Sequence, residues 1–344
     1  MVGHADLREL MGGFLVALGL SACGGVESGT SPPDASPSDA TDTTQDAAAC
    51  TPACVVELAS GQVGPWGIAV DDTSAYWANQ GGELVKVSID GGTPIVLASQ
   101  PNAGPYVSSV AVVGGNVIWP IPTWGGKNVP VHVGSIQSVP VGGGAAVTLV
   151  PQDGPAFIAV DASNIYWGTA TGIDEVPLTG GVPQTLIATP NGARALVVDA
   201  TNVYWIATST VMKAPLVGGG APVALATNQT GASYLAVDAA HVYWTTTDSV
   251  MAVPIAGGTP SALAVGQPTP LGVVSDGTNV YWTNFATYDT PTGSVMRVPV
   301  GGGVPLAIAE GQNGPSGITV DATSVYWTNM ASGGGGTVMK RTPK

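Results

Sequence analysis

Short apolar triplets recur along the chain, and each is followed by the same polar and aromatic sequel. The triplets are Ile68-Ala69-Val70, Val110-Ala111-Val112, Ile158-Ala159-Val160, Leu196-Val197-Val198, Leu235-Ala236-Val237, Val273-Val274-Ser275 and Ile318-Thr319-Val320. Each predicts a short strand. A turn follows, usually opened by an aspartate (Asp71, Asp161, Asp199, Asp238, Asp276, Asp321), whose carboxylate suits an Asx-turn. The next run carries Tyr76-Trp77, Ile118-Trp119, Tyr166-Trp167, Tyr204-Trp205, Tyr243-Trp244, Tyr281-Trp282 or Tyr326-Trp327. Successive pairs lie about 38 to 48 residues apart, the self-similarity of a propeller or solenoid. Adjacent strand residues point to opposite sheet faces, so Tyr and Trp are both buried only if both faces are covered. Blades packed side by side around an axis meet that condition.

The rest of each repeat completes a four-stranded blade. A third run reads VMKAP, VMAVP or VMRVP, and a glycine pair such as Gly91-Gly92, Gly180-Gly181, Gly257-Gly258 or Gly301-Gly302 turns it into a fourth, such as PIVLA or PVALA. The seventh repeat runs only to its third strand, VMKRTPK, while Val55-Val56-Glu57-Leu58-Ala59 precedes the first and resembles a fourth strand without a blade. The expected fold is therefore all-β: a seven-bladed β-propeller of four-stranded blades. Its N-terminal strand pairs with the last blade and closes the ring, which leaves only short, protected edges.

Composition narrows the partners. Charged residues make up 9% of the 344, and Gly (49) and Pro (28) are abundant, as suits many tight turns. The net charge is −14 with nine Lys and Arg, so the basic footprint of a nucleic-acid binder is missing.

The first part of the chain reads differently. Residues 1–22 hold an apolar run, Met11 to Leu20, too short to span a bilayer. Leu20-Ser21-Ala22-Cys23 resembles the lipobox of bacterial lipoproteins. That resemblance implies a signal peptide cut before Cys23, acylation of Cys23, and stable anchoring by several lipid chains. Gly24 after the cysteine implies outer-membrane sorting. The acidic Asp6 and Glu9 outweigh Arg8, where the family has a basic segment. Residues 23–49 form a Ser/Thr/Pro/Asp-rich tether without an aromatic residue, unable to order itself by burial. The propeller is expected over 50–344. Cys50 and Cys54 are the remaining cysteines, and in an exported chain a local disulfide is expected between them.

Gly317-Ile318-Thr319-Val320-Asp321, followed by Val325-Tyr326-Trp327-Thr328-Asn329, resembles the YWTD (LDL-receptor class B) repeat and, more loosely, the NHL repeat. The resemblance covers about residues 55–344 and implies a ligand- or partner-binding domain with no reaction attached. YWTD propellers have six blades, whereas seven repeats are counted here. The closing Asp of that motif is Asn79, Asn284 or Asn329 in three repeats, and the other repeats do not carry Asp there either.

Function is expected on the face whose loops lead into the inner strands, because rigid sheets position such loops. One position there varies between repeats: Trp66, Tyr106, Ala156, Arg194, Ser233, Leu271 and Ser316. Two long loops between second and third strands share that face, 120–134 and 284–294, and present Trp124, Lys127, His132, Phe285, Tyr288 and Asp289. Trp66, Tyr106, Trp124, His132, Arg194, Phe285 and Tyr288 are thus the candidate binding residues, for a protein, peptide or glycan. The tryptophans Trp77, Trp119, Trp167, Trp205, Trp244, Trp282 and Trp327 are assigned to packing. Catalysis is disfavoured: His132 and His241 fall on opposite faces, and the inner strands offer no carboxylates for a metal. A metal-assisted lyase or hydrolase, like streptogramin lyases or lactonases, is the alternative. No cofactor or metal is expected. The expected protein is a monomer held to the membrane by its lipid alone.

Overall fold

The computed structural model describes residues 54–344, apart from 101–106, 123, 127–128, 133, 152–154, 190–191, 219, 287–290 and 332–333; side chains of 124–126 and 129–132 are also outside the description. Seven antiparallel sheets of four strands make up the domain, joined by one small two-stranded hairpin. Six sheets are built from consecutive strands. The seventh takes Pro315–Val320, Val325–Asn329 and Gly336–Thr342 from the end of the chain and Cys54–Gln62 from the start. Val55 pairs with Arg341 and Glu57 with Met339 in that seam. The ring is closed by its own termini.

Blades are numbered here by their inner strands: Ile68–Val70, Ala111–Val113, Ile158–Val160, Arg194–Val198, Leu235–Val237, Pro270–Ser275 and Pro315–Val320. Each inner strand touches those of the two flanking blades, and blade 7 returns to blade 1. The structure is a seven-bladed β-propeller. Blade 2 begins one residue later than the apolar pattern indicates, and the blade 6 turn uses Gly302 and Gly303, both at positive φ, instead of Gly301.

The alternation of Tyr and Trp explains how blades hold together. Trp77 packs with Tyr326, Trp119 with Tyr76, Trp205 with Tyr166, Trp244 with Tyr204, Trp282 with Tyr243 and Trp327 with Tyr281. The tryptophan of each Tyr-Trp pair thus enters the gap shared with the preceding blade and its tyrosine the gap shared with the following one. All seven of these tryptophans are at most 1% exposed. Emptying such a site costs about 3–5 kcal/mol in typical Trp→Ala variants.

At the turn after each inner strand the aspartate does two jobs. One oxygen of Asp199 accepts the N–H groups of Thr201 and Asn202 at 2.7 Å, and the other accepts the Tyr204 hydroxyl at 2.6 Å. Asp71, Asp161, Asp238, Asp276 and Asp321 repeat the pattern with Tyr76, Tyr166, Tyr243, Tyr281 and Tyr326. Burial by itself pushes the Asp199 carboxyl up, but the bonds from Tyr204, Thr201 and Asn202 outweigh it and hold the pKa below the usual 3.8. Burial, and next the carboxylate, push Tyr76 up to about 12. Blade 2 has lost both partners together: Val113 stands at the aspartate position and Ile118 at the tyrosine position.

Candidate functional site

Two features of the repeat divide the mouth face, where loops lead into the inner strands. The first is the residue after each tryptophan. Thr245, Thr283 and Thr328 donate their hydroxyls to the carbonyls of Leu271, Ser316 and Trp66 in the next blade, at 2.9, 2.8 and 2.8 Å. Ala78, Pro120, Gly168 and Ile206 hold that position in blades 1 to 4 and have no hydroxyl to donate. The second is the residue before each apolar triplet. It is Gly67, Gly272 and Gly317 in blades 1, 6 and 7. A Cβ on Gly317 would lie 2.1 Å from the Trp66 carbonyl oxygen, so the close approach of blades 7 and 1 requires glycine there. In blades 3 and 5 the same position is Phe157 and Tyr234.

The half of the ring from blade 5 through 7 to 1 is therefore laced by hydroxyls. The mouth across blades 3 to 5 instead carries aromatic rings, and a cavity of about 410 Å³ opens among them. Phe157 and Tyr234 meet edge to face, with centroids 5.6 Å apart and planes at 84°. Gly168 and several alanines complete the wall. A second space of about 180 Å³ runs down the axis, and Trp66, Phe157 and Tyr234 stand at its edge.

Arg194 belongs to the larger cavity. The pairing of its strand slips between Arg194 and Leu196, and Ala195 adopts φ 27°, a left-handed conformation unusual outside glycine. The bulge puts Ala195 in the core at 3% exposure and leaves Arg194 exposed beside the opening. Every other Lys or Arg among the described residues is engaged. Lys86, Lys213 and Lys340 donate to the carbonyls of Val141, Ile255 and Ile89 in the following blades. Arg297 and Arg341 donate to Lys344 O and Ile308 O, and Lys344 pairs with Asp276 at 2.9 Å. The Arg194 side chain has no partner among the described residues.

The remaining sequence candidates fall as follows. Trp66 is half-buried at the channel edge, and its backbone accepts the Thr328 bond. Trp124 and His132 are register partners in the small hairpin, strands Trp124–Gly126 and Val129–His132. The Phe285 N–H donates to Thr269 O, and the residue lines neither space. Tyr106, Lys127, Tyr288 and Asp289 lie outside the described residues, as do Cys23 and Cys50; Cys54 opens the seam strand. His241 lines a separate recess on the opposite face with Thr259 and Ser261. Among the described residues no three His, Cys, Asp or Glu side chains converge as a metal would need. Sequence reading passed over Phe157 and Tyr234. Their signal was a bulky aromatic in a column that is glycine in blades 1, 6 and 7.

No family model matches the chain, and no curated protein matches it. Solved structures do. Virginiamycin B lyase from Staphylococcus aureus superposes with a TM-score of 0.65 at 13% identity, over 85% of this chain and 99% of that one. A chain of a nidogen/laminin complex gives 0.52 at 21% identity, over 67% and 90%. YCF48 bound to D1 peptide gives 0.60 at 12% identity, over 86% and 97%. The likeness is one of fold.

Proposed function

We propose that this chain is a lipid-anchored protein of a bacterial cell envelope, whose propeller of YWTD-like or NHL-like repeats binds a protein, peptide or glycan through the mouth face. The observation that carries the reading is Arg194, an exposed guanidinium without a partner among the described residues beside an aromatic-walled cavity, in a domain whose other described cations are spent on holding blades together. An arginine flanked by aromatic rings in a concave site is the usual make-up of a binding hot spot. YCF48 and the nidogen/laminin chain, similar in shape, come from structures that hold a peptide or protein partner.

For the anchor, the support is the LSAC sequence ending at Cys23 and the Ser/Thr/Pro/Asp-rich composition of 24–49 behind it. The protein acts by binding, without turnover, as a monomer outside the inner membrane.

A double variant tests the reading. Trp66→Ala with Arg194→Ala removes contact area at the mouth and opens no core cavity, so the melting temperature stays near that of the wild type while partner binding weakens by at least tenfold, about 1.4 kcal/mol. Undiminished binding by the double variant would move the site to the opposite face around His241.

A further inference from the structure

We infer that the cavity between blades 3, 4 and 5 is a subsite for a carboxylate joined to a single apolar or aromatic group, read by Arg194. The inference rests on the reading of the mouth face as the binding face and names the chemistry taken there. Five observations converge on it.

The guanidinium is exposed, without a partner among the described residues, and set beside the cavity by a strained bulge at Ala195. Strain of this kind is retained where surrounding structure imposes it, often at ligand sites. A guanidinium offers a planar fork of donors, which matches a carboxylate bidentately. A doubly charged phosphate calls for more positive charge than one side chain, and no second cation among the described residues lines this cavity. The rest of the lining is apolar: Phe157 and Tyr234 at 84° to each other, with Ala156, Ala193 and Leu196 beside them. At about 410 Å³ the space lies within the range of small-ligand sites and admits an aromatic ring with a short acidic arm. Ser233 is already bonded to Thr245 at 3.1 Å, and Arg194 is the one charged side chain among the described lining residues, so it orients the charged end of the ligand.

Two sources supply this chemistry: a free aryl or alkyl carboxylic acid, and the C-terminus of a peptide that ends in an apolar residue. Calorimetric titration of the full chain distinguishes them. The probes are phenylacetate with phenylacetamide, and acetyl-alanyl-phenylalanine with its C-terminal amide. Each acid is expected to bind about tenfold or more tightly than its amide, since the amide loses the charged half of the bidentate pair. Arg194→Gln should weaken the acids by the same factor and abolish the preference, leaving acid and amide alike. Tighter binding of phenylacetate identifies a free acid as the ligand, and tighter binding of the dipeptide identifies a peptide terminus.

Equal binding of acid and amide by the wild type overturns the carboxylate assignment. So does an acid preference that survives Arg194→Gln, and so does failure of both acids to bind up to their solubility. Each of these results leaves the wider reading standing if the Trp66→Ala, Arg194→Ala double variant still loses its partner. Retention of the partner by that variant overturns the wider reading instead.

Discussion

At the residue scale, the Asp–Tyr pairs couple stability to pH from both ends. Each carboxyl has its folded pKa held below the ordinary 3.8, so its contribution is complete above that value and fades as pH falls through the lower folded pKa. Each hydroxyl has its pKa raised, Tyr76, Tyr166 and Tyr281 to about 12. Its contribution is complete below the ordinary value of 10 and is lost as pH climbs through the raised one. The melting temperature should therefore be flat across neutral pH, falling below about pH 4 and again above about pH 10. Tyr204→Phe deletes one hydroxyl from a carboxylate and should lower stability by about 1.5–3 kcal/mol at neutral pH. Its alkaline decline should be shallower than that of the wild type. Thermal melts of both proteins from acid to alkaline pH check this, and an identical alkaline limb would show that Tyr204 does not titrate late.

Much of this scale was legible in the sequence, because each aspartate stands five residues before its tyrosine. The role of the residue after the tryptophan was not. Thr245, Thr283 and Thr328 bond across blade boundaries to carbonyls that are 26, 33 and 262 positions away in sequence. Such partners appear only when the ring is closed. Asn79 and Asn284, at the place of the final Asp of the YWTD motif, accept their own tryptophan N–H and donate to Gln62 and Gln267. A side-chain amide can both accept and donate, which a carboxylate cannot.

At the scale of the element, the seam strand matters most. Cys54–Gln62 was readable as an orphan fourth strand because its apolar run matches Ile95–Ala98, and it does pair with Gly336–Thr342. Deleting residues 55–59 should strip blade 7 of its outer strand, remove Leu58 and Ala59 from the core shared with Trp77, and expose an edge. A melting temperature lower by several degrees and concentration-dependent aggregation in light scattering are expected. An unchanged melt would mean that the seam contributes nothing to closure. The bulge at Ala195 was out of reach of sequence reading, since RALVV reads as a regular strand. Only the pairing with Asn202–Ala207 shows that Arg194 and Leu196 are out of step.

At the scale of the molecule, the repeat is uniform in its core and uneven at its mouth. Blades 5, 6, 7 and 1 are laced together by threonines, and the opening lies across blades 3 to 5. Sequence periodicity revealed the seven blades because each tryptophan is needed for packing. It could not rank the mouth residues, since a column that varies by drift looks like one that varies for a ligand. The proposed lipid anchor is tested separately from the mouth. Cys23→Ser should move the protein from the membrane fraction to the soluble fraction with its melting temperature unchanged, because Cys23 precedes the first blade strand, which starts at Cys54, by about 30 residues. Retention in the membrane fraction after a high-salt wash would contradict the lipid anchor.

The central claim, that the mouth face over blades 3 to 5 is where the partner binds, is open to one direct measurement. A photo-cross-linking residue is placed in the intact protein at Ala156, on the cavity lining, and in a second variant at Thr259, on the opposite face beside His241. Both positions are exposed, so neither change disturbs the core. After irradiation in cells, the Ala156 variant should yield a discrete adduct that disappears when Arg194→Ala is added. The Thr259 variant should yield none. A discrete adduct from Thr259 alone would contradict the claim.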